Sequence, residues 1–168
     1  VDYTKTAMGA RAIKARLERP LRSPCAINQR LDAVEALYRD QRSLERLRTV
    51  LGTCRDLERL AARLAMDRAS PRDLVALRAT IEAALSLASA LPPAAPEALA
   101  VLSAPEDRDA AVAFASFVAR AIADEPAIAP ADGGVIREGW SPELDGLRAI
   151  KADAHGVLEA YLEEERAA

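Results

Sequence analysis

The stretch SPRDLVALRATIEAALSLASAL, residues 70–91, decides the fold class. Ser70 is a helix-capping residue, Pro71 suits the first helical position, and the Asp73 carboxylate can accept from the free amides of the first turn. Apolar side chains then recur in steps of three and four, at Leu74, Leu77, Ile81, Ala84, Ala88 and Leu91. This spacing predicts one long helix with a continuous apolar seam.

Helical spacing recurs on both sides of this stretch. We predict helices over about residues 6–19, 24–38 and 107–123, with Ile27, Leu31, Val34 and Tyr38 on one face of the second. Two shorter helices are expected between them, one closed by Gly52, and their inward positions are Leu44, Leu47 and Leu51, then Leu57, Leu60, Ala61 and Leu64. The Pro-rich residues 91–96 and the Pro/Gly-rich residues 125–134 are predicted loops, and residues 135–136 are briefly extended.

Composition agrees with an all-α fold. Aromatic residues make up only 4% of the 168-residue chain and glycines number seven, whereas Ala, Leu, Arg and Glu recur throughout. Ser141-Pro142-Glu143 predicts a last helix from residue 142 to about 166, roughly 37 Å long at about 1.5 Å per residue. A helix of that length predicts an elongated, lever-like bundle. We expect a helical bundle over residues 1–131, followed over 132–168 by a loop and the start of a long lever helix.

Charge is divided unevenly between the two halves of the chain. Residues 1–91 hold 17 Lys and Arg against 11 Asp and Glu, and residues 92–168 hold 6 against 15, so charges of +6 and −9 make up the net −3. One interpretation is that oppositely charged helices pack side by side. The other is that the basic half lies near a DNA backbone in a larger protein.

The two cysteines indicate a reducing compartment. Cys25 and Cys54 are far apart and have no CxxC spacing, so we predict buried free thiols in a cytoplasmic protein. No apolar run reaches the roughly 18 residues that a membrane span requires. The chain begins at Val1 without an initiator methionine. We expect it to be a segment of a longer protein.

Side chains that could carry catalysis are scarce. His155 is the one histidine, which leaves no paired-His metal site and no Ser-His-Asp relay with a spare base. Gly133-Gly134 lacks the pattern of a phosphate-binding loop. The acidic neighbours Asp107 and Asp109, and Glu163 to Glu165, are interpreted as solvated faces. We predict no catalytic, cofactor or metal residue in this chain.

A basic ridge formed by Arg55, Arg59 and Arg63 has two interpretations. The side chains are spaced four residues apart, so they lie on one helix face. They could contact phosphate. Ion pairing with acidic side chains such as Asp56 and Glu58 is the favoured interpretation.

Three segments, in order, resemble the signatures of the MutS core domain. The first is a Thr-x-Met-Gly-x-Arg helix that ends in Pro-Leu, here Thr6, Met8, Gly9, Arg11, Pro20 and Leu21. The second joins two helix starts, at Asp56, Leu57, Glu58 and Arg59 and at Pro71, Arg72, Asp73 and Leu74. The third is a glycine-rich turn that leads into a helix, with Gly133, Gly134, Gly139, Glu143, Leu144, Asp145, Leu147 and Arg148.

The resemblance implies a place in a DNA mismatch-repair protein. In that family a mismatch-reading domain precedes this region, a DNA clamp follows it, and a dimeric ATPase that uses ATP and Mg²⁺ closes the chain. The implied partners are mismatched duplex DNA, a second protomer and a MutL-type protein. The implied role is to link clamp and ATPase mechanically. We expect the isolated segment either to self-associate or to fray beyond about Gly156, because its uncovered seams lack a partner helix.

Two other classes of function remain open at the level of the residues. A free-standing helical adaptor would bind a partner through its heptad face. An enzyme with an unrecognised site is the third interpretation, and the near absence of His and aromatic residues argues against it. The DNA-binding residues, if this segment has any, are not identified by the sequence.

Overall fold

The computed structural model describes residues 2–100, 102, 107–128, 130–154, 156 and 162. Within them the chain forms α-helices joined by turns and two short 3-10 helices, Leu87–Ala90 and Pro130–Asp132, and no strand. The α-helices are α1 Ala7–Glu18, α2 Pro24–Arg39, α3 Gln41–Thr53, α4 Leu57–Ala65, α5 Pro71–Ser86, α6 Glu97–Ala100, α7 Arg108–Ala121 and α8 Pro142–Ala152. The predicted all-α fold is confirmed.

Helix α5 is the centre of the packing. It contacts α3, α4 and α7, and α7 is its most extensive neighbour. One apolar cluster forms where α3 meets the 3-10 turn after α5, around Leu47, Leu87 and Ala90. The other forms where α7 ends, around Val118, Ala121 and Ile122, with Leu74 of α5 packed against it.

The chain is open rather than compact. Its accessible surface is 12461 Å² for a mass of 18.0 kDa, whereas a compact monomer of that mass exposes about 8000 Å². The difference agrees with the predicted elongated bundle. Directional contacts therefore carry more of the packing than in a closed core.

The predicted seam of α5 is correct at Leu77 and at Leu91, which packs against the Leu47 cluster, and wrong at Ala84. Leu77 is buried, but Ala84 is exposed and the α-helix ends at Ser86. The chain tightens there into a 3-10 turn, and Pro92 and Pro93 follow, which cannot supply helical amide donors. Consequently Leu87 and Ala90, rather than Ala84 and Ala88, complete the core.

Three local predictions also change. The apolar face of α2 is exposed, from 37% at Ile27 to 76% at Tyr38, because Leu37 on another face packs into the Leu47 cluster. Helix α3 continues through Gly52 to Thr53. Cys25 is exposed and Cys54 partly buried, so Cys25 is not a buried thiol. Burial raises the pKa of the Cys54 thiol.

The last predicted helix is interrupted. Helix α8 ends at Ala152, and the Asp153 side chain accepts from the amide of Gly156, as a new cap would. Of the residues beyond Gly156 only Leu162 is described, and it is helical. The rest of the predicted lever helix, with Glu163 to Glu165, lies outside the described residues, as does His155.

Candidate functional site: polar ties between helices

The first signature is joined to the second by Arg11. Thr6 caps α1 by accepting from the Gly9 amide at 2.9 Å, and a Cβ on Gly9 would lie 3.0 Å from the Thr6 hydroxyl, so a side chain there would require this hydroxyl to shift by a few tenths of an ångström. Arg11 then donates to both carboxylate oxygens of Asp56, at 2.9 and 2.8 Å, and to Glu58. This bidentate pair holds the pKa of Asp56 below its ordinary value.

The second signature ties α4 to α5. Asp73 completes the predicted capping box, because its carboxylate accepts from the amide and hydroxyl of Ser70, at 2.8 and 2.7 Å. The same carboxylate lies 3.0 Å from the Arg63 guanidinium of α4. Hydrogen bonds from Ser70 lower the pKa of Asp73, and Arg63 lowers it further. Pro71 occupies the predicted first helical position.

A buried threonine adds a second tie at this junction. Thr80 is 2% exposed, and its hydroxyl accepts from the amide of Arg55 at 3.1 Å while donating to the Ala76 carbonyl at 2.8 Å. The start of α4 is thereby anchored to the middle of α5. The apolar periodicity of α5 gave no sign of this contact.

The basic ridge of α4 is used in part for ion pairing. Arg63 pairs with Asp73 of another helix, so ion pairing occurs, but the expected partners Asp56 and Glu58 pair with Arg11 instead. Arg59 lies near Asp56 and Asp73 and contributes to the lowered pKa of both. Arg55 contributes its main-chain amide to the Thr80 contact.

The third junction joins α5, the end of α7 and the third signature. Ile122 and Ile136 form an isolated antiparallel bridge, which the predicted extended residues 135–136 anticipated. Beside it the Asp124 carboxylate accepts from Arg78 of α5 at 3.1 Å and from Arg137 at 2.9 Å. Both arginines lower the pKa of Asp124, Arg137 most.

Two further contacts secure this junction. The Nε of Arg72 donates to the Pro126 carbonyl at 3.1 Å. The amide of Arg137 donates to the Ala121 carbonyl at 2.9 Å, so both main chain and side chain of Arg137 take part. The sequence identified Arg72 only through resemblance, and it gave no signal for Asp124, which lies between the predicted helix 107–123 and the predicted loop 125–134.

The third signature is an internal clasp. Asp145 of α8 accepts from the amide of Gly139 at 2.7 Å and from Arg148 at 2.8 Å. Arg148 also donates to the Ile136 carbonyl at 2.6 Å. The backbone of Gly139 has φ +80°, a conformation that residues other than glycine rarely adopt. The clasp therefore fixes the start of α8 against the bridge.

The remaining signature residues serve turns or surfaces. Gly133 and Gly134 also have positive φ. Met8, Leu57 and Leu144 are partly buried, whereas the exposed members are Pro20, Leu21, Glu143 and Leu147. Asp107 and Asp109 are exposed, as expected of solvated carboxylates.

The described residues contain no group of three His, Cys, Asp or Glu side chains placed to hold a metal. None of their helices combines the length and apolarity of a bilayer span.

The fold and its contacts define an all-helical domain in which some signature residues, such as Arg11, Asp56 and Asp73, connect one helix to another. The family model for MutS domain III matches residues 1–167. The chain belongs to this MutS family. Its similarity extends over nearly its whole length, because 99% of the chain aligns with each of several curated relatives.

Those relatives come from distant organisms. The DNA mismatch repair protein MutS of Treponema denticola is 34% identical and that of Thermotoga sp. strain RQ2 is 39% identical, over 18% and 20% of their respective lengths. The protein of the same name from Methanosarcina barkeri is 38% identical over 19% of its length. The chain thus spans about a fifth of the length of these relatives.

Proposed function

We propose that this domain is the mechanical link of a DNA mismatch-recognition protein, joining a DNA-gripping clamp to an ATPase. The relatives are named for mismatch repair, and this chain aligns with about a fifth of each. In this proposal ATP, Mg²⁺, mismatched DNA, a second protomer and a MutL-type partner bind elsewhere in the full protein, which acts in the cytoplasm. The domain itself has no catalytic site.

The observation that carries the proposal is the serial order of the ties. Arg148 connects α8 to the bridge, Asp124 connects that bridge to α5, Asp73 connects α5 to α4, and Asp56 connects α4 to α1. Each tie has a charged or main-chain partner and a fixed direction. A rotation of α8 therefore acts on each helix in turn through a directional polar contact, and the last of these contacts, from Arg11 to Asp56, is open to solvent.

The proposal is tested by breaking one tie in the full-length protein that carries this domain. Asp124→Asn keeps the side-chain shape but removes the charge that Arg78 and Arg137 share. We expect mismatch binding and DNA-free ATP turnover to change less than about twofold, while the stimulation of nucleotide exchange by mismatched DNA falls several-fold. The matched control is Glu35→Gln, because Glu35 pairs with Arg39 inside α2 alone.

The outcome that contradicts the link is unchanged stimulation in Asp124→Asn, provided that hydrogen exchange shows a loosened bridge at residue 136. A fall in both separate activities would instead indicate general destabilisation. The control variant identifies that case, since it should behave as the unmodified protein does.

A second function is favoured by the exposed stripe of α2. Leu31 and Val34 are 57% and 62% exposed, on the same face as Ile27 and Tyr38. Heptad spacing of this kind suits a partner helix, as in a helical interaction domain. If the chain uses this face, it self-associates at micromolar concentration and Leu31→Asp abolishes the association in sedimentation velocity. A strict monomer would contradict this second function.

A further inference from the structure

We propose that α1 is a detachable arm, which docks on α4 through Arg11 and is released when that contact is broken. The inference rests on the proposed function, because a mechanical link needs an element with two discrete arrangements. It goes further by naming the element and the contact that selects between its arrangements.

Helix α1 has little apolar anchorage. None of its 12 residues is buried, and none belongs to either apolar cluster. Leu17 is 69% exposed, and a shallow groove of about 410 Å³ is lined by Ala10, Ile13 and Leu17 with other residues of α1 and the segment before it. Residues 19–23, which lead to α2, are exposed throughout.

Among the hydrogen bonds and ion pairs of the described residues, those that join α1 to a later helix are made by Arg11. Its guanidinium meets two carboxylates, Asp56 and Glu58, in and before the first turn of α4. The Arg11 side chain is 49% exposed and that of Glu58 is 71% exposed. Such a contact is directional but accessible to water, so dissolved salt screens it.

Release of α1 leaves the N-terminal cap of α4 in place. Asp56 caps α4 by accepting from the Arg59 amide at 3.4 Å, a bond that does not need Arg11. Both carboxylates lie where the helix macrodipole favours negative charge. Release of α1 therefore leaves no buried charge without a partner, and the released Arg11 is hydrated.

Release has a measurable consequence within α1 itself. An isolated helix of 12 residues is marginal in water, because helices shorter than about 12 to 15 residues barely repay nucleation. An undocked α1 therefore frays, and its amides exchange with solvent.

The experiment follows hydrogen exchange of residues 7–18 in the 168-residue chain by mass spectrometry. The double variant Asp56→Asn with Glu58→Gln removes both acceptor charges but retains an Asn cap on α4. We expect several-fold faster exchange in residues 7–18 and unchanged exchange in α5 and α7. Raising salt from about 0.05 to about 0.5 M should produce the same local increase in the unmodified chain.

Two further variants keep the test decisive. Arg11→Gln breaks the contact from the α1 side and leaves α4 untouched, so it decides the matter if the double variant loosens α4. Glu35→Gln is the matched control, because it removes an exposed ion pair within α2 and should leave residues 7–18 unchanged. Exchange in α1 that is insensitive to Arg11→Gln and to salt would overturn the proposal.

The outcome is distinguishable from failure of the link. Exchange is measured without DNA or nucleotide, so a detachable α1 can be established even if Asp124→Asn leaves coupling intact. Conversely, coupling can depend on Asp124 while α1 stays docked.

Discussion

Replacing Thr80 by valine tests whether the α4–α5 junction depends on a hydrogen bond rather than on packing. Valine has nearly the shape of threonine, so the buried volume is kept, but the Arg55 amide loses the acceptor that lies 3.1 Å away. The bond from the Thr80 hydroxyl to the Ala76 carbonyl is also lost, at smaller cost because that carbonyl retains its place in the helix. We expect the free energy of unfolding to fall by about 1 to 2 kcal/mol.

The measurement is urea denaturation followed by circular dichroism, with thermal unfolding as a second readout. For a chain of this size the loss corresponds to a melting temperature lower by roughly 2 to 8 °C. The matched control is Thr49→Val, because the Thr49 hydroxyl donates to the Glu45 carbonyl on an exposed face and contacts no second helix. It should change stability by less than about 0.5 kcal/mol. Equal stability of the two variants would refute the argument.

Three further predictions concern turns, pH and ligands. Gly139→Ala should lower the free energy of unfolding by about 1 to 2 kcal/mol, since φ is +80° there. Gly146→Ala should raise it by about 0.5 to 1 kcal/mol, because Gly146 lies inside α8 with open space around it. Urea denaturation that changes the free energy of unfolding in the same direction for both variants would contradict this. The pKa of Asp73 is lower in the folded state than in the unfolded chain, so its contribution to stability is present above the ordinary carboxyl pKa and is lost as pH falls through the folded value. Ser70→Ala should weaken this dependence when the free energy of unfolding is measured from neutral pH downward. The isolated chain should not turn over ATP, and any DNA binding should be indifferent to mismatches and fall steeply with salt, so phosphate release or mismatch-selective anisotropy at physiological salt would contradict the assignment of these activities to other domains.

Local capping signals gave three of the helix starts. Ser23, Ser70 and Ser141 each precede a proline, and all three cap the helices that the sequence predicted. A capping residue acts on the next three amides, so its effect can be predicted from adjacent residues alone. Helix ends were less predictable. The end of α5 at Ser86 depends on how Leu87 meets Leu47, a contact between residues forty apart.

The sequence also did not predict which apolar helix faces are covered by other helices. Periodicity predicts that Leu31 and Val34 share a face of α2, but not whether anything packs against it. The distant ties were equally hidden, because Arg11 and Asp56 are separated by 45 residues. Resemblance marked both residues without saying that they meet. Asp124 carried neither a motif nor a resemblance.

The scarcity of apolar burial gives polar contacts a larger part in joining the helices of this domain. Apolar contacts are non-directional, so a helix can slide along a neighbour at little cost where few side chains interlock. Within the described part, the buried hydrophobic residues are few and small, and three of the nine are alanines. Hydrogen bonds such as Arg148 to the Ile136 carbonyl fix both distance and angle. Substituting such a donor therefore removes a contact of defined geometry between α8 and the bridge at Ile136, whereas the side chain of Leu147 is exposed. A domain built in this way can break one polar contact, as the release of α1 requires, without first disrupting a close-packed core.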